Sequence, residues 1–346
     1  MATTLPQWTR TLDNAFTETW YEIRPDAIDN ILLATPVWAM LKEKGCFKPQ
    51  TGSEFITRTV KYAVGVTPVA VTKGDTLPMG VVETETMARW TFRNMAANVQ
   101  RDTITDAENS GEHRIKDYVK KRLSEARDAL VQKYETDVLR AQVTDESGKE
   151  IQGLNDLVPL YAGAATGSYG GITRPTAYAQ IAAANGVYKP SAGNTWWGPS
   201  YKQLTLPYEV NLVTDMKVLY NSIYNNQEAP NFILSDQGLF ELYEEFAVDK
   251  SQIVKDDTMM LADLGFEVLR FKGKAWTWTP NIAASNLIML NTDHIEAVYR
   301  PNLWFDMSEW KPIPNQTDRV AHILSSCNII TGQPRRHGRL TSATVS

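Results

Sequence analysis

The sequence predicts an α+β protein, with strands and helices gathered in separate stretches rather than alternating as βαβ units. Three observations carry this. The run from about Asn109 to Val143 has the period of one helix face. Residues 53–94 have the alternation of a long β-hairpin. From Asn231 onward, short strand-like runs follow one another with few helices between them.

Residues 1–50 read as a string of short helical pieces. Leu12, Phe16, Trp20 and Ile23 form a brief apolar stripe that Pro25 is expected to stop, and Ile28, Ile31 and Leu32 form another. Thr35-Pro36 reads as an N-cap with proline at the first helical position, and Gly45 fits the far end. Such short pieces are marginal alone. Carrying Trp8, Trp20 and Trp38, they need a surface to lie against, either their own core or a neighbouring subunit.

Residues 53–94 are rich in Val, Thr and aromatics. Val82, Thr84, Thr86, Ala88, Trp90 and Phe92 share one face of a strand; Glu83, Glu85, Arg89 and Arg93 share the other. Gly74, Pro78 and Gly80 break the chain between the two arms. A dozen residues per arm at ~3.3 Å each reach roughly 40 Å. A lone two-stranded ribbon is marginal, so the hairpin is expected to lean on another surface.

In the helical run, Ile115, Val119, Leu123, Ala126, Leu130, Tyr134 and Val138 recur at steps of three and four, opposite a charged face. Glu112–Lys116 and Asp117–Lys121 are acid-before-base pairs one turn apart, and Thr105 with Glu108 offers a capping box upstream. About 35 residues at ~1.5 Å each give a rod of roughly 50 Å. The stripe drifts from a strict heptad, so a helix packed on a sheet is favoured over a coiled-coil arm.

Beyond it, Asp145–Lys149 reads as a turn and 185–200 as a loop around Trp196-Trp197. Residues 204–220 mix strand and helix signals. NFILS at 231–235 reads as a strand, followed by a helix from Asp236 and a glycine stop at Gly265. A hairpin is expected over 266–280, then strands at NLIMLN and IEAVYR. A last strand-like run starts near Asp318 and ends in a basic tail.

With 43% hydrophobic and 22% charged residues, the chain has ordinary globular composition, enough for one large or two medium domains. A net charge of -5 argues against gripping nucleic acid by bulk positive charge, though not against enclosing it. The first residues have no secretory pattern, and no apolar run approaches the ~18 residues of a membrane span. Cys46 and Cys327 read as free thiols. The Gly-rich 162–172 stretch lacks a phosphate-loop ending, and no GxGxxG or GxSxG occurs. His113, His294, His322 and His337 have no zinc spacing. Asp256-Asp257 reads as a helix start rather than a cation site, so no cofactor or metal is expected. Arg335, Arg336 and Arg339 read as a solvated tail, a phosphate contact or a salt-bridge set for a neighbour.

The order of elements (apolar helical segment, long hairpin, very long helix, mixed lobe, returning strands) resembles the major capsid proteins of tailed bacteriophages, the HK ninety-seven-like fold. The resemblance covers nearly the whole chain. Local wording adds to it: Gly153-Leu154 after the long helix, then 169–174 (YGGITR), 231–243 (NFILSDQGLFELY), the GFEVLRFKG hairpin and the closing 333–338 (QPRRHG). It implies an N-terminal arm at 1–50 and an extended loop at 51–101. It further implies a peripheral domain with its spine helix at 102–150 and 291–346, and an axial domain at 151–290.

The implied function is a non-enzymatic shell subunit, closing as pentamers and hexamers around phage double-stranded DNA in the virion after assembly in the bacterial host cytoplasm. A separate scaffolding protein, a portal and a decoration protein are the implied partners. Some members join a hairpin lysine covalently to a neighbour's asparagine; Lys61 and Lys73 are matched in place, but no partner asparagine is identified. The inter-subunit contacts expected are Trp8, Trp20, Arg58, Lys61, Lys73, Glu83, Glu85, Trp90, Trp196 and Trp197, with Arg58 and Lys61 facing Glu83 and Glu85 or a neighbour's equivalents. The arm is expected to clamp a neighbour's spine helix and loop 185–200 to point at the ring centre. An encapsulin-type compartment with enzyme cargo is the alternative of the same fold; an ordinary α+β enzyme is the rival from another class.

Overall fold

The apolar stripe of the long helical run becomes α3 (Glu112–Leu139), about 42 Å long at ~1.5 Å per residue. Leu123, Ala126, Leu130, Tyr134 and Val138 are all buried, as the spacing requires. The computed structural model describes residues 7–33, 35–63, 69–75, 83–102, 112–140, 148–160, 167–181, 186–225, 228–249, 269–314, 316 and 318–342. Thr105, Glu108, Asp256, Asp257 and Gly265 lie outside the described residues, as do the side chains of Trp8, Ile115 and Val119.

Two sheets share a core with this helix. The smaller runs β1 (Phe47–Pro49), β14 (Ile295–Met307), β16 (Asp318–Thr331), β15 (Lys311–Pro312), with β4 (Arg93–Asp102) paired to β16. The β4–β16 ladder is antiparallel from Arg93↔Cys327 to Asp102↔Asp318. α3 packs on β4, and the Tyr134 hydroxyl bonds Ser325 and Cys327 of β16.

The second sheet has eight strands in the order β11 (Leu269–Phe271), β12 (Lys274–Trp278), β10 (Phe232–Ser235), β13 (Asn286–Leu290), β17 (Gly338–Thr341), β9 (Ser200–Gln203), β8 (Val187–Ala192), β7 (Ala177–Ile181). Alternate residues of β10 and β13 serve two cores. Phe232, Leu234, Ile288 and Leu290 face the core shared with α3. Ile233, Leu287 and Met289 face α5 (Tyr208–Ile223) and α6 (Gln237–Asp249). That two-sided burial explains runs such as NLIML, with no polar alternation. Gly338 lets α5 approach closely: a Cβ there would run into Ile223 and Leu219.

Four expectations are corrected. Pro25 does not stop the first helix; α1 (Gln7–Leu33) runs through it. A mid-helix proline costs about 3 kcal/mol, and contacts on either side offset that. Phe16, Trp20 and Ala27 are buried, Trp20 Nε1 donates to Phe305 O at 3.1 Å, and Arg24 Nη2 donates to Trp304 O at 2.5 Å. A bulge in β14 aims those carbonyls outward, with Phe305 at φ 54°. Secondly, the described part of α1 packs on α3 and β14 of its own chain, so its burial needs no neighbour. Asp13 fastens it by ion pairs to Arg101 (2.7 Å) and Arg319 (3.0 Å). Thirdly, the stretch expected as loop 185–200 is β8 and a 3₁₀ turn, Thr195–Trp197, built into the sheet. Fourthly, β17 joins the eight-stranded sheet rather than the 291–346 lobe, and its arginine is no solvated tail: Arg339 is 0% exposed. The cap of α2 (Pro36–Glu43) follows the sequence, Thr35 Oγ1 accepting from Trp38 N at 3.4 Å.

His337 sits where the sheets meet. Its Nδ1 accepts the Asn291 N–H at 3.2 Å, so the ring proton is on Nε2, 3.0 Å from Thr331 Oγ1.

Candidate assembly surface

Hairpin residues β2 (Phe55–Lys61) and β3 (Glu85–Thr91) pair antiparallel from Phe55↔Thr91 to Lys61↔Glu85. Ile56, Val60, Ala88 and Trp90 turn inward and are buried, while Met87 on the opposite face is 64% exposed. The alternation read from the sequence is therefore present at the base, and what it leans on is its own chain.

Trp90 enters an aromatic block. Tyr169 meets it at 5.7 Å between ring centroids and Trp197 at 6.4 Å. Gly170 is at φ 61°, and a Cβ there would lie 2.7 Å from the Trp90 ring. Its carbonyl accepts the Arg89 N–H at 2.8 Å. Trp197 Nε1 donates to Tyr169 O at 2.9 Å, and Trp196 stacks on Tyr62, the residue that leaves β2, at 5.1 Å. The turn between β5 (Ser168–Tyr169) and β6 (Ile172–Thr173) thus holds the hairpin against the 3₁₀ turn.

Charge completes the anchor, with partners other than those expected. Arg58 pairs not with Glu83 or Glu85 but with Glu296 of β14, through Nε at 2.8 Å and Nη2 at 2.6 Å. Lys61 and Glu85 are register partners across the ribbon. Glu83 is exposed, and so is Lys73, in a turn with Gly74 at φ 99°. Trp20, Trp90 and Trp197, expected at subunit contacts, are 0%, 2% and 0% exposed in the single chain, so their burial needs no neighbour. Trp196 is half-buried. Glu296, Tyr62 and Tyr169 were invisible as anchors in the sequence, because each meets the hairpin only through the fold.

The described tip residues, 69–75, are all exposed, with Val69 and Val71 at 51% each. Asp75 accepts from Thr72 N (2.7 Å) and Thr72 Oγ1 (2.9 Å), which hold its carboxyl below the usual range and shape the turn. A groove of about 770 Å³ opens between β4 and α3. Met95, Ala97, Val99, Ala126 and Leu130 line it, with Arg122, Glu125 and Lys133 also in the wall. Asp137 also lines it; burial raises its pKa, against the pull of Lys133 at 2.8 Å.

Reactive groups are muted. Burial pushes the Cys46 thiol up to about 11 and Cys327 up to about 12, and both are free. Burial drives His337 down to about 3. Among the described residues, no three His, Cys, Asp or Glu side chains gather as a metal site, and no helix is long and apolar enough to cross a membrane.

No protein-family model and no curated protein matches the chain. Solved structures do. The chain is similar to the Cyanophage A-1(L) capsid asymmetric unit, with 16% identity over 88% of this chain and 92% of the other, TM-score 0.54. It is similar to the holo-SrpI encapsulin complex from Synechococcus elongatus PCC 7942, with 10% identity over 90% and 89%, TM-score 0.53. The capsid of Myoviridae Phage XM1 shares 8% identity over 88% and 92%, TM-score 0.51. Near-complete coverage on both sides places this chain in the same α+β, HK ninety-seven-like fold.

Proposed function

We propose that the chain is the major capsid subunit of a tailed phage, a structural protein and not an enzyme. Copies join as pentamers and hexamers into an icosahedral shell around double-stranded DNA. The observation that carries this reading is the hairpin: bolted at its base by its own chain, it presents Val69 and Val71 to solvent at its tip. Apolar surface held out in this way gains by burial on a second copy. The hairpin lies across the adjacent subunit, with Lys73 and Glu83 placed for charged contacts there. A net charge of -5 suits a wall past which DNA must slide without sticking. A separate scaffolding protein, a portal and a decoration protein complete the set of partners, and the mature location is the virion.

The similarity to an encapsulin complex supports a second reading, a compartment that houses protein cargo. Negative-stain imaging of the expressed chain tests shell formation. Closed particles with nuclease-protected DNA during infection support the phage reading. Closed particles that copurify only with an enzyme support the compartment, and a small soluble oligomer overturns both.

A further inference from the structure

Beside the hairpin anchor lies a second buried polar cluster. Arg174 and Arg339 are 3% and 0% exposed. Both hang on the single turn α4 (Leu154–Leu157) and the residue after it. Arg174 Nη2 donates to Asp156 O; Arg339 Nη1 donates to Asn155 Oδ1 and Val158 O, both at 2.7 Å. Arg339 Nε donates to Asn286 Oδ1 at 3.0 Å. Arg174 Nε and Nη1 and Arg339 Nη2 are buried with no hydrogen-bond partner among the described residues.

Two tyrosines share this place. Tyr178 of β7 and Tyr201 of β9 meet edge-on at 5.3 Å between centroids. Both hydroxyls are buried and equally without partners among the described residues. Tyr178, Arg174 and Arg339 each lie close enough to the Tyr201 hydroxyl to act on it electrostatically, as Arg174 does on Tyr178. The charge does not balance: two guanidinium groups are buried here, and the carboxylate on the same turn, Asp156, is engaged elsewhere. Its Oδ2 accepts from Arg140 Nη2 at 2.8 Å and Gly153 N at 3.0 Å. Buried charges are ordinarily paired and buried donors bonded.

We propose that Arg174, Arg339, Tyr178 and Tyr201 form a binding site for one small inorganic anion of halide size. An anion fits better than water. A guanidinium only donates, so a water here could place its own two protons on nothing but the tyrosine oxygens. An anion accepts from all four side chains and neutralises one buried charge. It ties β7, at the sheet edge, to β9, β17 and the α4 turn.

The test is thermal unfolding of the full chain while chloride replaces gluconate at constant ionic strength. Because the unfolded chain lacks the site, Tm is expected to rise by about 2 °C per tenfold increase in chloride, and bromide acts alike. Tyr178→Phe and Tyr201→Phe remove one oxygen each without disturbing the ring. Each is expected to lower Tm in chloride and to move the onset of the chloride effect at least about tenfold higher. In bromide-grown crystals an anomalous peak lies between the four side chains. A Tm that ignores chloride overturns the proposal, even if both variants are destabilised. Phe variants as stable as the parent at every chloride level, or no bromide peak, also overturn it.

Discussion

Held between the Asn291 amide and the Thr331 hydroxyl, the His337 ring stays neutral, because burial drives its pKa to about 3. The unfolded chain takes up this proton near pH 6.5 and the folded chain does not. His337 therefore supports the fold fully above about pH 6.5 and loses about 1.4 kcal/mol per pH unit below it. Asp13, Asp137 and Asp236 act in the opposite sense, since burial raises their pKa values and they favour the folded chain as pH falls. The difference between the parent and His337→Asn in urea unfolding, followed from pH 7 to pH 4.5, isolates the histidine; it should shrink steadily as the pH drops. Gly170 gives a second prediction at this scale. At φ 61° and against the Trp90 ring, Gly170→Ala combines backbone strain with a steric clash. A loss of about 2–4 kcal/mol in denaturant unfolding is expected, with Trp90 fluorescence shifted. In the sequence Gly170 and His337 stood inside the family-like runs 169–174 and 333–338, but with no role attached to either. Their roles come from partners remote in the chain.

The hairpin base and tip behave as separate parts. The base is fastened by Arg58–Glu296, by Trp90 and by Tyr62 on Trp196; deleting residues 65–82 spares all three. The deletion should give a folded, soluble chain on size-exclusion chromatography that forms no shells; intact shells would remove the hairpin from the assembly mechanism. Arg58 and Glu296 are each about a third exposed, so a double-mutant cycle to alanine should return a coupling of only about 0.5–1 kcal/mol in unfolding. Periodicity revealed α3 and both hairpin arms, because Leu123 to Val138 and Ala88 to Trp90 repeat at the spacing of the face they bury. It misjudged α1, where Pro25 argued locally for a stop while Trp20 and Arg24 found carbonyl partners on the β14 bulge, about 280 positions away. It also misjudged 185–200, whose Gly and Pro content resembles loop while Trp197 is a core residue.

For the whole molecule, the order and lengths of elements were legible, and the fold that they resemble is the one found. Of the two surfaces expected for the leading segment, its own core serves over the described part: Phe16, Trp20 and Trp38 are buried in this chain alone. Exposed apolar residues remain at the tip, Val69 and Val71, and elsewhere, Leu206 and Val210 among them. The sequence could not show which contacts stay within the chain, because pairs such as Arg58–Glu296 and Trp90–Tyr169 join residues far apart in it. The eight-stranded sheet carries a consequence in time. β17, residues 338–341, is wedged between β13 and β9, so until the ribosome has delivered those residues the sheet exists as two unjoined halves. Such long-range closure is slow. The two halves of that sheet therefore join only after synthesis has passed residue 341.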